Sequence, residues 1–176
     1  MYGDEKRSGL IIYSAVFVAL ITVGGWISIP FFVPFTLQTL FILLAASVMK
    51  KYAVIPTALY VLFGTFGLPL FHNGTSGIGI LLGPTGGFLI GFIPMAFIAG
   101  LFFSKKSMSL DITGLCLATV VCYAFGVVWF MISAGATLWA ALITCVIPFI
   151  AGDIIKIAAA ELVTLRLRKS ETLVYD

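Results

Sequence analysis

Charge is what this sequence has least of. Seven acidic and ten basic side chains stand among 176 residues, so charged residues make up 10%, against about 25% of a soluble domain. A water-facing surface cannot be assembled from that supply, which excludes a soluble globular protein. Histidine occurs once, at position 72, and Cys116, Cys122 and Cys145 are scattered through apolar stretches. No cluster of His, Cys and carboxylate is available to hold a metal, and the cysteines read as small buried hydrophobes. A glycine-rich segment is present, but no Gly-Lys-Ser/Thr follows it, so it is not a nucleotide loop. "GTSG" at 74–77 sets Ser76 near His72. An intramembrane serine nucleophile takes its base from a distant helix, whereas this histidine lies four residues away in the same loop. The inventory is too small for an enzyme, and it implies no cofactor.

What is abundant is hydrocarbon. Hydrophobic residues make up 61% of the chain and mean hydropathy is +1.19, the composition of an integral membrane protein. A single all-α membrane domain over residues 1–176 is expected, because helices and closed barrels alone span lipid and no alternating ten-residue segments occur. The apolar runs fall at 10–29, 36–50, 53–67, 87–104, 112–133 and 148–167, which predicts six transmembrane helices. The first run follows Lys6 and Arg7 but lacks a small-residue cleavage site before a polar region, so it reads as a span rather than a signal peptide.

The net charge of +3 is distributed as topology information, not as a nucleic-acid patch. Basic residues cluster at Lys6/Arg7, Lys50/Lys51, Lys105/Lys106 and Arg166/Arg168/Lys169. Junctions 30–35, 68–86 and 134–147 carry no Lys, Arg, Asp or Glu. By the positive-inside rule both termini face the cytoplasm. The outer junctions differ in kind. Pro30 and Pro34 stop one helix and permit the next. Residues 68–87 include eight glycines and prolines together with Leu81 and Leu82, which suits a re-entrant or capping segment over a ligand pocket. Residues 133–147 suggest a short helix along the outer face.

Three groups of residues are candidates for function. Asp153 and Lys156 lie about 7 and 12 Å beyond Pro148 on one face of the last span. Embedded charges are costly and are functional candidates by default; the structural alternative is an ion pair that staples helices. Glu161, deeper on the same span, could simply reach Arg166 or a neighbouring helix. Thr36 and Gln38 open the second span, where they either cap amides or face a cavity. Asn73, in the long loop, offers both a donor and an acceptor. With no ATPase module and no pair of broken helices related by an inverted repeat, such a binding protein needs a partner. Ala15 and Ala19, with Gly24 and Gly25 beyond, form a small-residue stripe that suits either helix docking or internal packing.

"VPFTLQTL", "GLPLF…GPTGGFLIGF" and "AGDIIKIA" occur in this order. Together they resemble the BioY family, the biotin-binding S components of energy-coupling factor (ECF) vitamin transporters, over residues 14–167. The resemblance implies a six-helix protein that captures biotin from outside and docks on a transmembrane coupling subunit served by two ATPases. Ala15 and Ala19 then belong to the docking helix, while Asp153 and Asn73 meet the fused-ring head of biotin, with Lys156 lining the site beside it. Trp26, Phe35, Tyr60, Phe66, Phe71 and Trp129 are candidates for the apolar lining. Localisation to the cell membrane as a multi-pass protein follows. The alternatives are an S component for another vitamin, or a solitary biotin transporter working without ATPases.

Overall fold

A computed structural model describes residues 2–30, 32–105 and 107–169. Helix α1 (Tyr2–Trp26) leads into a two-residue antiparallel ladder of β1 (Ser28–Ile29) and β2 (Phe35–Thr36), in the register Ser28↔Thr36 and Ile29↔Phe35. Helix α2 (Gln38–Met49), a 3₁₀ turn (Lys50–Ala53) and α3 (Val54–Thr65) follow, then a 3₁₀ turn (His72–Gly74), α4 (Ile78–Leu82), α5 (Gly86–Phe103), α6 (Met108–Ala134), α7 (Leu138–Cys145) and α8 (Ile147–Lys169). Helix α1 starts eight residues before the apolar run. Hydropathy marks where lipid begins, and the preceding Asp, Glu, Lys and Arg are themselves acceptable helix formers.

Among the described residues, four helical stretches are long and apolar enough to cross a membrane: Arg7–Trp26, Gln38–Thr65, Gly86–Phe103 and Met108–Ala134. Helices α7 and α8, bent by 41°, pass together as a fifth. Six runs were expected, and the difference lies mainly in Gln38–Thr65. A straight helix would put Gln38 and Tyr60 about 33 Å apart. Instead Gln38 Nε2 donates to the Tyr60 hydroxyl, so the chain folds back between them and α2 and α3 are separate legs of about 18 Å each. The reversal sits at Lys50, whose φ is +53°. Gly100 of α5 accommodates it, since a Cβ there would lie 2.3 Å from the Lys50 carbonyl oxygen.

The main core runs between α1, α2, α3, α5, α6 and α8, with Ile21, Ile42, Ala46, Tyr60, Met95, Ala99, Leu115 and Ala160 among its buried members. A second cluster, Val33, Val127, Phe130, Ala141, Cys145 and Phe149, lies where the 30–35 and 134–147 connections meet α6 and α8.

Charges at the other end are more deeply buried than the sequence suggests. Asp111, fully buried, accepts from Arg168 Nη1 at 2.6 Å, and Arg168 Nη2 and Lys50 Nζ both donate to the Phe103 carbonyl, at 3.4 and 3.3 Å. Cations suit that position, because the last carbonyls of α5 lack helical partners. Arg168 therefore pairs with Asp111, Arg166 is exposed, and Glu161 is buried with neither carboxylate oxygen hydrogen-bonded. Lys6, Lys106 and Lys169, part of the basic pattern used to orient the chain, lie outside the residues whose side chains are described.

Candidate functional site

A cavity opens between β2, the start of α2, α5, α6 and α8, and with its mouth encloses about 640 Å³. Phe35, Phe88, Phe92, Tyr123 and Phe149 supply an aromatic wall, and Thr36, Gln38, Thr39, Asp153 and Lys156 supply polar groups.

The polar groups form two hydrogen-bonded chains. In the first, the Thr36 hydroxyl donates to Gln38 Oε1 at 2.9 Å and Gln38 Nε2 donates to Tyr60. The amide is thereby fixed at both ends, and Thr36 also accepts weakly from the Gln38 backbone N–H at 3.4 Å. In the second, Tyr123 donates to Asp153 Oδ2. Lys156 Nζ donates to Asp153 Oδ1 at 2.7 Å and to Thr39 Oγ1 at 3.0 Å. This chain crosses from α6 through α8 to α2.

Local sequence explains the placement. Gly152 lets the Phe35 ring lie directly on α8, since a Cβ there would approach the ring to 2.3 Å. Phe35 then stacks on Phe149, with centroids 5.8 Å apart. Lys156 Nζ sits 4.0 Å from the Phe35 centroid, a cation–π contact that helps offset burial of the ammonium. Asp153 and Lys156 are 8% and 6% exposed. Their opposite charges cancel, and burial lowers the pKa of His72, which stands at the rim in the long connection. The cavity is thus polar at one side, where Asp153 and Lys156 form an ion pair.

The structure brings Asp153, Lys156, Thr36 and Gln38 together. Asn73 does not line the cavity. It is exposed, takes the left-handed backbone conformation at φ +54°, which Asn tolerates better than most residues, and accepts from the Ser28 hydroxyl. Its neighbour His72, with Thr85, is what the long connection contributes to the wall. Of the six aromatic candidates only Phe35 lines the cavity. Tyr60 stands behind Gln38, edge-on to buried Phe71, and Phe66 faces outward at 79% exposure. Both tryptophans tie down the long connection. Trp26 Nε1 donates to the Pro69 carbonyl at 3.2 Å and Trp129 Nε1 to the Gly83 carbonyl at 2.9 Å. A half-buried indole needs an acceptor, and loop carbonyls supply one. Thr39 and Tyr123 are wall residues that the sequence did not signal. One is a hydroxyl in the first turn of a helix and the other a tyrosine in an apolar run, both commonplace.

On α1 the small-residue stripe divides. Gly24 and Gly25 are buried against Leu37, Phe41 and Gln38, whereas Ala15 and Ala19 are exposed.

A helical membrane protein with a mostly apolar cavity that carries a few polar side chains on one side has the makings of a small-molecule site. The chain matches the BioY family over residues 4–172 and belongs to it, a family of transporter components and not of enzymes. It is 43% identical over 169 residues to the biotin transporter BioY of Thermotoga maritima, covering 92% of this chain and 96% of that protein. It is 38% identical to the probable biotin transporter BioY of Pyrococcus horikoshii, covering 88% and 93%. A solved structure, that of the S component for biotin from an ECF-type ABC transporter, superposes with a TM-score of 0.86 at 27% identity, over 94% of this chain and 93% of that one.

Proposed function

We propose that this chain is the biotin-binding S component of an ATP-driven ECF importer, a multi-pass protein of the cell membrane that captures biotin at the outer face. Support for the ligand comes from its relatives, whose names give biotin as the transported molecule, and from the chemistry of the cavity. The observation that carries the reading is the pairing of an acceptor, Asp153, with a donor, Lys156, in a wall that is otherwise mostly apolar. Biotin is a neutral cyclic urea fused to a thioether ring, with an acyl chain ending in a carboxylate. Its ring N–H groups need an acceptor, its carbonyl needs a donor, and its body needs apolar surface.

Asp153 accepts a ring N–H in this proposal, as a charge-assisted hydrogen bond. Lys156 serves the urea carbonyl, since it stands one turn from Asp153. Thr39 can help, because a hydroxyl that accepts from Lys156 still has its own proton to give. Phe35, Phe88, Phe92 and Phe149 cover the rings and chain. Thr36 and Gln38 form the polar floor beside them. Asn73 keeps a ligand role only if the loop turns over, because its carbonyl oxygen now points to Ser28.

The reading takes six crossings, with α2 and α3 as the second and third and α8 as the last. Both termini are cytoplasmic, and the connections at 30–35, 68–86 and 134–147 are outside. It also takes a transmembrane coupling subunit, docked on α1 through Ala15 and Ala19, and ATPase subunits to supply energy. Exposure of those two alanines, in contrast to the buried glycines above them, favours docking over internal packing.

Asp153→Ala and Lys156→Ala test the site. Each substitution removes one charge-assisted hydrogen bond to the ligand, about 1.5–3 kcal/mol, so biotin affinity of the purified protein should fall about ten- to a hundredfold in each, with helical content unchanged. Ordinary affinity in both would sink the assignment.

A further inference from the structure

Asp153 is held from two sides, but the two holds are not equivalent. Lys156 lies three residues along the same helix and moves with it. Tyr123 is on α6, so its hydrogen bond to Oδ2 is what fixes the carboxylate relative to the opposite wall. A carboxylate offers about four acceptor directions. Lys156 takes one on Oδ1 and Tyr123 one on Oδ2, which leaves two for a ligand. Tyr123 itself lines the cavity, so the bond it makes to Asp153 lies in the wall the ligand would touch.

We propose that Tyr123 is a positioning residue for ligand recognition: its hydroxyl sets the plane of the Asp153 carboxylate so that a free lone pair meets a ring N–H of the ligand. The inference rests on the biotin-binding reading above. Affinity gained this way comes from preorganisation, because a carboxylate free to rotate must be ordered at the moment of binding. Tyr123→Phe keeps the aromatic wall and the Asp153–Lys156 pair and removes only the hydroxyl that sets the plane.

The test titrates the purified full-length protein and its Tyr123→Phe variant with biotin and with the two cyclic-carbamate analogues, in each of which one ring N–H is replaced by oxygen. Loss of one charge-assisted hydrogen bond corresponds to about a tenfold weaker Kd for biotin in the variant. The analogue that lacks the N–H facing Asp153 should lose less than twofold, so the protein's preference for biotin over that analogue falls about five- to tenfold. Biotin and both analogues weakening by one common factor would make Tyr123 merely structural and overturn the proposal. Unchanged or tighter biotin binding would overturn it as well. If the unaltered protein binds neither biotin nor the analogues, the biotin reading itself falls and takes this inference with it. Unaltered protein that binds biotin normally confines any failure to Tyr123.

Discussion

Asp153 and Lys156 stand in an apolar run where each uncompensated charge would cost several kcal/mol. That cost made them legible from sequence, three residues apart on one face. The residues that complete their surroundings were not legible. Thr39 lies in the same "VPFTLQTL" stretch as Thr36 and Gln38, yet nothing in the stretch tells which hydroxyl faces Lys156. Trp26 and Trp129 were reasonable wall residues by composition, but their indole N–H groups are claimed by loop carbonyls whose positions depend on tertiary folding. Asp111 carried no signal in the sequence, because its partner Arg168 is brought to it by α8, 57 residues away. At this scale Thr39→Val is informative, since it keeps the shape and removes the acceptor of Lys156. It should weaken biotin binding roughly ten- to a hundredfold, as expected when one buried hydrogen bond to a charge is lost. Isothermal titration would show this, and an unchanged Kd would remove Thr39 from the site.

Among the elements, the long helices α1, α5 and α6 were readable, because 18 or more mostly apolar residues have few alternatives. A short helix was also expected within 133–147, and α7 lies there. The β1–β2 ladder was not expected, since two-residue strands leave no periodicity. It nevertheless matters, because β2 delivers Phe35 and Thr36 to the cavity. The fold-back at Lys50 is a further case. Lys50/Lys51 signalled an interruption, but the buried position of Lys50 against the α5 C-terminus depends on Gly100, fifty residues away. For α1, a tryptophan at Ala15 or at Ala19 projects from an exposed face. Either substitution should leave biotin affinity within about twofold, as for surface changes generally, while blocking co-purification with the coupling subunit. Normal assembly of both variants would place the interface elsewhere.

The whole molecule has a recess with polar groups on one side, a lid of loops pinned by two tryptophans, and a lipid-facing exterior rich in exposed isoleucine, leucine and valine. Its cavity holds an internally neutralised Asp–Lys pair, which suits a neutral heterocycle better than a cation such as thiamine. The fit to a cyclic urea is the central claim, and equilibrium titration of the purified protein with labelled biotin, in competition with thiamine and riboflavin, tests it most directly. Saturable binding at one site per chain, displaced by unlabelled biotin and untouched by a hundredfold excess of either other vitamin, is the predicted result. Displacement by thiamine or riboflavin, or no saturable biotin binding by a folded sample, would contradict it.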